Sequence, residues 1–465
     1  MSTASEPEVN GERRILFAAE SGHGHINPLI AVAAELAARG VTDLWFAGCD
    51  GHRAAVERID PEAPPRFIPL GPAAPEHDPA NWNDEEMGRV TTASPLRNLA
   101  AVLDLSLDFS DRDRQYRRML EVVDEVKPAL AVVDLFAYWA IDALTMRGIP
   151  YIALCPGLAS AVYADRLPWS YPTPLSGLRS GMSRAQRAHN IAFRVGRQLV
   201  GYRPSQLRAG VSFYRSRVAE GHTNPESKLS RYADEAVNVF SYSIFGIDYP
   251  FERVPVNLRL VGTMLGPRTA PAADESGLTD WLDLHESIVY ASFGTIMRLT
   301  EQQILAIVAA AERLGPEHQV LWKLPKDRQH LLPPVLPANL RVESWVPSQL
   351  DVLAHPHVRV FFNHGGANAV HEGLYFGTPQ LVLPFWMDNV DTAARICDSG
   401  AGLSVTRPQS SDDALIEERL RLLLGEPAFL ARAGEWQQRL RAAGGSALAA
   451  ESIIGTLDRL GRTPA

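Results

Sequence analysis

Two short turns rich in glycine and histidine hold side chains suited to chemistry in this sequence. The first turn, Ser21-Gly-His-Gly-His-Ile-Asn-Pro28, follows a short apolar run and carries His23 and His25. Histidine changes its charge near neutral pH, so either imidazole could act as a general base. The alternative is that both are solvent-exposed or capping histidines. The turn predicts a proton-transfer site without choosing between the two.

A histidine base needs an acceptor that holds its tautomer and stabilises the imidazolium. Asp134 directly follows the apolar run Leu130–Val133 and is expected at the carboxyl edge of a parallel strand. The competing interpretation makes Asp134 the N-cap of a helix predicted over Phe136–Leu144, and one aspartate can do both. Asp134 is therefore the predicted partner of the base.

The second turn, Asn363-His-Gly-Gly366, follows the apolar run Arg359–Phe362 and precedes a predicted helix. Two glycines let backbone N–H groups approach an anion, the helix N-terminus adds partial positive charge, and His364 adds a possible donor. A third turn, Ser292–Thr295, brings hydroxyl groups and Gly294 to another strand end, although such a turn is often only a helix N-cap. Together these segments predict a phosphate-binding site.

Three other segments resemble known metal- or cofactor-binding motifs but do not support such sites. His371-Glu372 resembles the start of a zinc-binding His-Glu-x-x-His motif, but Tyr375 occupies the last position. The first turn has Asn27 where a dinucleotide-binding fingerprint requires glycine. The metal-binding pattern Asp-x-Asp occurs at Asp111-Arg-Asp113, in a charge-rich stretch typical of a solvated helix face. We therefore expect neither a metal ion nor a nicotinamide cofactor.

The elements that must position these turns alternate between short strands and helices. Arg13–Ala19 and Asp43–Ala47 are predicted strands on either side of a helix from Pro28 to Arg39, which makes a βαβ unit. Proline and glycine become dense between Tyr249 and Gly277, where the composition suggests an interdomain linker. A second alternation runs from Ile288 to Val405. Two doubly wound α/β domains are expected, with their strand ends facing a shared cleft.

The spacing between Trp345 and Asn389 is far more specific than any single turn. It contains Trp345-Val-Pro-Ser-Gln349, Asn363-His-Gly-Gly366, His371-Glu372, Gly377-Thr-Pro379 and Pro384-Phe-Trp-Met-Asp-Asn389. At these intervals the segment resembles the donor-binding signature of the family 1 glycosyltransferases, the UDP-glycosyltransferase-like enzymes of the GT-B fold, and among them the bacterial natural-product or macrolide type. The resemblance implies two Rossmann-like doubly wound domains that face each other across a cleft.

The resemblance also implies a nucleotide-sugar site in the second domain. Trp345 would stack on the nucleobase, Glu372 would accept from the ribose hydroxyls, and His364 would help to hold the diphosphate. Asp388 and Asn389 would bind hydroxyls of the donor sugar. The implied contacts are Gly294, Thr295, Trp345, Val346, Gln349, His364, Gly366, Ala367, Asn368, Ala369, Glu372, Asp388 and Asn389.

In the first domain the resemblance implies that His25, rather than His23, is the catalytic base. His25 stands at the family's His-x-x-Pro spacing with Pro28, and Asp134 is the implied supporting carboxylate. Aromatic side chains of this half are expected to supply the apolar wall for the acceptor. Those named as candidates are Trp82, Phe136, Trp139 and Trp169.

The donor signature departs from the family pattern at several positions. Ser348 displaces the usual glutamine by one residue, to Gln349. Ala369 stands where a serine that contacts phosphate is common, Ala367 replaces the tryptophan of plant members, and Asn389 replaces a frequent glutamine. These departures leave the fold prediction intact and leave the identity of the donor sugar open.

Composition limits the class of protein. The 465 residues include 45 Lys and Arg against 54 Asp and Glu, a net charge of −9, which argues against a nucleic-acid partner. Neither a secretory signal nor an apolar run of about 20 residues is present, and three scattered cysteines suit a reducing cytoplasm. We expect a cytoplasmic monomer or homodimer without stable membrane insertion. The arginine-rich segment Asp165–Glu220 suggests either a membrane or anionic contact, or a pair of solvated amphipathic helices over a cleft.

The predicted function is inverting transfer of a hexose or deoxyhexose from a UDP- or TDP-sugar to a hydroxyl of a lipophilic small molecule, such as a polyketide, macrolide or phenolic compound. The nucleotide sugar is a co-substrate, and no cofactor is expected. A nucleotide-sugar epimerase of the same fold and a non-catalytic partner of another transferase are the alternatives. The predicted units are an acceptor domain (13–267), a linker (268–284), a donor domain (285–445) and a closing helix (446–465) expected to pack back on the first domain.

Overall fold

A computed structural model describes residues 13–71, 78–106, 109–266, 277–406 and 410–461. Its strands form two sheets in which every described pair is parallel. The first sheet contains β1 (Ile15–Ala18), β2 (Leu44–Gly48), β3 (Arg66–Pro69), β4 (Leu130–Asp134), β5 (Tyr151–Cys155), β6 (Asn238–Ser241) and β7 (Leu258–Leu260). The second contains β8 (Ile288–Ser292), β9 (Gln319–Lys323), β10 (Leu340–Glu343), β11 (Val358–Asn363), β12 (Gln380–Val382) and β13 (Gly402–Ser404).

Helices connect these strands in both halves. In the first half they are α1 (His23–Ala38), α2 (Arg53–Glu57), α3 (Asp84–Val90), α4 (Pro95–Ser106), α5 (Phe109–Val126), α6 (Tyr138–Met146), α7 (Ala159–Val162), α8 (Arg184–Gly201), α9 (Pro204–Ala219) and α10 (Leu229–Glu235). In the second half they are α11 (Leu278–Leu284), α12 (Glu301–Leu314), α13 (Gln349–Ala354), α14 (Ala367–Tyr375), α15 (Asn389–Ser399), α16 (Asp413–Gly425), α17 (Pro427–Ala442) and α18 (Gly445–Leu460).

The strand order of each sheet reverses next to its first strand in the chain. The first sheet has the order β3-β2-β1-β4-β5-β6-β7, and the second has β10-β9-β8-β11-β12-β13. The connections that follow β1 and β4 therefore lead to opposite sides of the first sheet, and those that follow β8 and β11 lead to opposite sides of the second. Ligands of doubly wound sheets bind at the carboxyl ends of strands at such switch points. The prediction of two facing doubly wound domains is confirmed.

Side chains of the central strands alternate between two apolar layers. Leu16 and Ala18 pack on one face of the first sheet, and Ile15 and Phe17 pack on the other. This period of two is what a pleated strand covered on both faces requires. Burying each large side chain contributes about 1.5–3 kcal/mol, so these layers hold the strand ends in fixed positions.

The first helix begins earlier than the sequence indicates. A helix starting at Pro28 was expected because proline favours the first helical turn. In the structure α1 begins at His23, with Gly22 as an extended N-cap that has no side-chain bond, and Pro28 lies inside the helix. The expected start is therefore wrong by five residues, and both histidines of the turn lie on the helix.

Helices from each half also pack against the sheet of the other half. Ala449, Ala450 and Ile453 of α18 pack in the first-sheet layer that also contains residues of α1. In the other direction, residues of α3 and α4 join the apolar core of the second sheet. Asp84 at the start of α3 accepts from Arg298 at 2.8 Å and also pairs with Arg328. These ion pairs, as well as apolar packing, hold α3 against the second half.

The arginine-rich segment folds into α8 and α9, and most of its side chains are exposed. This is the helical interpretation made from the sequence. Within the described ranges, none of the helices has the length and hydropathy that crossing a bilayer requires. On α5, Asp111 pairs with Arg114 and is only 16% exposed, and Asp113, which is 34% exposed, reaches the buried Arg217 at 2.9 Å. A wholly solvated face is therefore the wrong description of both aspartates.

Candidate active site

His25 and Asp134 meet at the switch point of the first sheet. His25 is in the first turn of α1, and Asp134 ends β4, so both stand at the carboxyl edge of adjacent strands. His25 Nδ1 lies 2.9 Å from Oδ2 of Asp134, which is fully buried, while about a third of the His25 side chain is exposed. The ring of Phe136 packs edge-on against the imidazole at 5.4 Å. The pair therefore forms an oriented imidazole with one face open to the cleft.

Asp134 does not cap the helix that follows it. The helix expected over Phe136–Leu144 begins instead at Tyr138, with Ala137 as its N-cap. The Asp134 Oδ1 atom accepts from the backbone N–H of Phe136 at 3.2 Å, which closes a local turn of the kind aspartate favours. The N-cap interpretation is wrong, and the second oxygen of the carboxylate faces His25.

A further carboxylate, Glu20, lies beside this pair and was not predicted. Its backbone N–H donates to Asp134 at 3.4 Å, and its Oε1 accepts from Trp139 Nε1 at 3.0 Å. Burial raises the pKa of Glu20, whereas Arg112, His25 and the Trp139 N–H favour its ionised form. The sequence signal that could have identified Glu20 is its position shortly after β1 and just before the histidine turn.

These acidic groups control the protonation of His25. Burial alone would lower the pKa of the imidazole, but Asp134, followed by Glu20 and Asp388, raises the pKa to about 9. With no ligand bound, His25 is therefore mainly protonated at neutral pH. His25 becomes a base only when that proton leaves.

His364 lies at the switch point of the second sheet, directly after β11, the strand that corresponds to β4. It fits into a space that two glycines leave open. A Cβ atom on Gly294 would lie 2.9 Å from His364 Cε1, and one on Gly366 would lie 2.4 Å from Nε2. Gly294 also has a φ of +78°, which favours glycine. Within the described residues the buried Nδ1 atom of His364 has no hydrogen-bond partner, so it is a polar atom available to a ligand.

Burial and the neighbouring Lys323 lower the pKa of His364 to about 4, so this imidazole is neutral at physiological pH. The first turn of α14 adds backbone donors beside it. Gly366 is the N-cap and makes no side-chain capping bond, so the N–H groups at the helix start have no intrahelical acceptor. Neutral donors and a helix N-terminus together suit a phosphate group.

In the same domain, Lys323 links the surroundings of Trp345 and Glu372. Trp345 is 64% exposed, and Lys323 Nζ lies 5.2 Å from its ring centre. Gln349 Nε2 donates to Glu372 Oε2 at 2.6 Å. Burial raises the pKa of Glu372 to about 7, against the opposing effects of Gln349 and Lys323. Lys323 ends β9 and was missed because it lies outside the recognised signature.

Asp388 and Asn389 lie at the start of α15, and a Cβ atom on Gly365, next to His364, would lie 2.9 Å from the Asn389 carbonyl. Burial, with a contribution from Asp391, raises the pKa of Asp388 to about 6, and Asp388 in turn acts on His25. Asn389 is buried, and its Oδ1 atom has no partner among the described residues. Met387, just before them, has a φ of +48°, so the loop holds an unusual backbone geometry.

The two histidine turns contact each other directly. Nδ2 of Asn368, in the first turn of α14, donates to the backbone carbonyl of Gly24 at 3.0 Å. Asp391 accepts from the backbone N–H groups of Leu175 and Gly177 at 2.6 Å and 2.9 Å, which adds a second link between the halves. The turn that carries His25 and the turn that carries His364 therefore face one another across the cleft.

A family model described as UDP-glucoronosyl and UDP-glucosyl transferase matches residues 143–429, more than half of the chain. The chain belongs to this family. It is therefore a glycosyltransferase, an enzyme that transfers sugar to a small-molecule acceptor, as the sequence resemblance indicated.

Several relatives and solved structures are similar to this family member. The 4'-demethylrebeccamycin synthase of Lentzea aerocolonigenes is 26% identical over 428 residues, covering 90% of this chain and 93% of the relative. UDP-glucuronosyltransferase 2A3 of Cavia porcellus is 26% identical over 291 residues, and the match covers 61% of this chain but only 52% of that longer relative. The calicheamicin glycosyltransferase CalG4 superposes with a TM-score of 0.66 at 20% identity, covering 97% of this chain and 99% of that one. This last likeness shows the shared fold.

The four aromatic residues predicted to line the acceptor site have different positions. Phe136 packs on His25, and Trp139 is buried with its N–H on Glu20. Trp169 is 57% exposed and stacks under Arg194. Trp82 is buried in the core of the second sheet, where its ring meets Trp386 edge-on at 5.7 Å. Its assignment to the acceptor wall is wrong, because α3 crosses to the other domain.

The predicted donor residues mostly gather at the carboxyl ends of β8 and β11. Thr295 is exposed next to Gly294, and Ala367 and Ala369 lie in the first turn of α14 with buried methyl groups. Val346 is also buried, in the apolar layer beneath Trp345, so only its backbone could face a ligand. Among the described residues no group of histidine, cysteine and carboxylate side chains is arranged to hold a metal ion.

Proposed function

We propose that this family member is an inverting glycosyltransferase that uses a UDP- or TDP-sugar and a hydroxyl of a lipophilic small molecule. The observation that carries the proposal is the His25–Asp134 pair facing the His364 turn across the cleft. The family description favours UDP over TDP. Carboxylates at Asp388 and Glu20 make the sugar pocket unfavourable for an acidic sugar, which supports a hexose or deoxyhexose.

In the proposed reaction, neutral His25 removes the proton of the acceptor hydroxyl as its oxygen attacks the anomeric carbon. The bond from that carbon to the diphosphate oxygen breaks on the opposite face, so the anomeric configuration inverts. The proton remains on His25, and Asp134 stabilises the imidazolium. Negative charge on the departing diphosphate is stabilised by His364 and by the N-terminus of α14 near Gly366.

The remaining donor assignments follow from position. Trp345 supplies an exposed ring for the nucleobase, and Glu372, with Gln349, supplies acceptors for the ribose hydroxyls. Asp388 is the donor-domain carboxylate that acts on the pKa of His25, so Asp388 and Asn389 would hold the sugar next to the base. The proposal keeps the acceptor domain at 13–267, the linker at 268–284, the donor domain at 285–445 and the closing helix at 446–465. It also keeps a cytoplasmic monomer or homodimer that needs no metal or other cofactor.

The test combines UDP- and TDP-sugars with a mixed panel of polyketide, macrolide and phenolic acceptors, and detects products by mass spectrometry. Formation of a glycoside with the anomeric configuration opposite to that of the donor, read by NMR, is the expected result. Retention of configuration would contradict the mechanism. Release of an altered nucleotide sugar without acceptor would favour the epimerase, and the absence of UDP or TDP binding by calorimetry would favour a non-catalytic partner.

A further inference from the structure

The helix that carries His25 contains a proline where a helix normally needs a backbone donor. Because α1 begins at His23, the N–H of residue 28 would ordinarily donate to the carbonyl of Gly24, four residues earlier. Pro28 has no N–H, so the Gly24 carbonyl lacks that partner. The proline therefore leaves a strong acceptor at the edge of the cleft.

Asn368 of the second domain supplies a donor to this carbonyl. Its Nδ2 atom lies 3.0 Å from the Gly24 oxygen, although 344 residues separate the two in the chain. Asn368 is also the second residue of α14, so its backbone N–H belongs to the set left free at the helix N-terminus. Its side chain and its backbone can therefore perform separate tasks.

We propose that the Asn368 side chain is a positioning residue that holds the turn of the base in register with the phosphate-binding turn, through the carbonyl that Pro28 frees. The bond joins the residue before His25 to the first turn of α14. It therefore sets the separation between the base and the leaving group. Misplacing reacting groups by 1 Å can cost about 10²-fold in rate. The kinetic meaning of this bond rests on the proposed transferase function.

Three variants test the proposal: Pro28→Ala, Asn368→Ala and the double substitution. Pro28→Ala adds an N–H that can pair with Gly24 inside the helix, and alanine is the better helix former, so the fold should be retained. Each single variant is expected to lower kcat, by about tenfold for Asn368→Ala, with UDP affinity by calorimetry within about twofold of wild type. The double variant should be no slower than Asn368→Ala alone, because Pro28→Ala acts only by drawing the Gly24 carbonyl away from the Asn368 side chain.

The matched control is Pro427→Ala, at the first turn of α17, where proline frees no carbonyl of a preceding turn. It should keep wild-type kcat. Full activity in Pro28→Ala, or effects that multiply in the double variant, would overturn the proposal. A large loss of UDP affinity in Asn368→Ala would also overturn it, by assigning the side chain to donor binding.

Hydrogen–deuterium exchange separates this proposal from the transferase function. Both single variants should increase exchange over residues 22–27, since that turn loses its tie to the second domain. This readout requires no sugar transfer, so it holds even if every donor and acceptor pair fails. Unchanged exchange in both variants would overturn the positioning role, while leaving the transferase proposal standing.

Discussion

His25 and His364 both lie at the switch points of their sheets, and they have opposite protonation behaviour. Each follows a central strand at the switch point of its sheet, and each stands at the start of a helix. The pKa of His25 is raised to about 9, and that of His364 is lowered to about 4. Fold position alone therefore does not define the task of a histidine.

The difference comes from the charges around each ring. Burial lowers the pKa of both imidazoles, and at His364 the neighbouring Lys323 lowers it further. At His25 the carboxylates of Asp134, Glu20 and Asp388 outweigh burial. One ring is thus prepared to hold the proton that the reaction generates, and the other remains a neutral donor for phosphate. Substitutions and pH can separate these two tasks.

Replacement of His25 by alanine is expected to have the largest effect on turnover. Loss of a general base should lower kcat about 10²–10⁴-fold, while UDP binding by calorimetry stays near wild type, because the proposed mechanism gives His25 no contact with the nucleotide. The matched control is His23→Ala, since His23 is the exposed neighbour on the same turn. Wild-type turnover in His25→Ala, or loss of turnover only in His23→Ala, would contradict the assignment.

Replacement of His364 by alanine should affect turnover and nucleotide binding together. Removing one donor to the leaving group typically costs about 10²–10³-fold in kcat, and the same contact should strengthen UDP binding in the ground state. Calorimetry with UDP would therefore distinguish this variant from His25→Ala. Unchanged UDP affinity in His364→Ala would break the proposed division between the two histidines.

Much of this pairing could be predicted from sequence because the signals are local. His364 and its glycines lie within four residues, and His25 lies three residues before Pro28. Glu20 could not be placed in the same way, since its hydrogen bond to Trp139 joins residues 119 apart. Such contacts depend on the order of strands in the sheet, which local spacing does not reveal.

The same limit explains the errors in the fold. The strands were predicted because each buried run is short, apolar and bounded by turns. The burial of Trp82 was missed because nothing near it in sequence shows that this part of the first half packs into the core of the second sheet. The start of α1 was missed because Gly22 offers no capping side chain, whereas Pro28 matches a common helix start.

The pH dependence of kcat/KM tests the raised pKa of His25 directly. With the pKa of His25 raised to about 9, the base is mostly protonated at pH 7, so kcat/KM should rise about tenfold per pH unit until it levels near pH 9. Above about pH 8, Asp388, with a pKa of about 6, and Glu372, with a pKa of about 7, are both mostly ionised. The small residual rate of His25→Ala should be flat over this range. A wild-type plateau that is already complete at pH 7 would contradict the raised pKa.

The smallest expected effect tests how much of the His25 shift comes from Glu20. Glu20→Gln removes the negative charge but keeps an oxygen that can accept from Trp139 Nε1. The midpoint of the kcat/KM profile should therefore fall by about one pH unit, the lower end of what a neighbouring charge produces. Trp139→Phe is the matched control, because it removes the N–H donor and leaves the Glu20 charge in place. A midpoint that moves equally in both variants would attribute the effect to the hydrogen bond or to packing rather than to charge, and the contrast between the two histidines would then rest on Asp134 and Asp388.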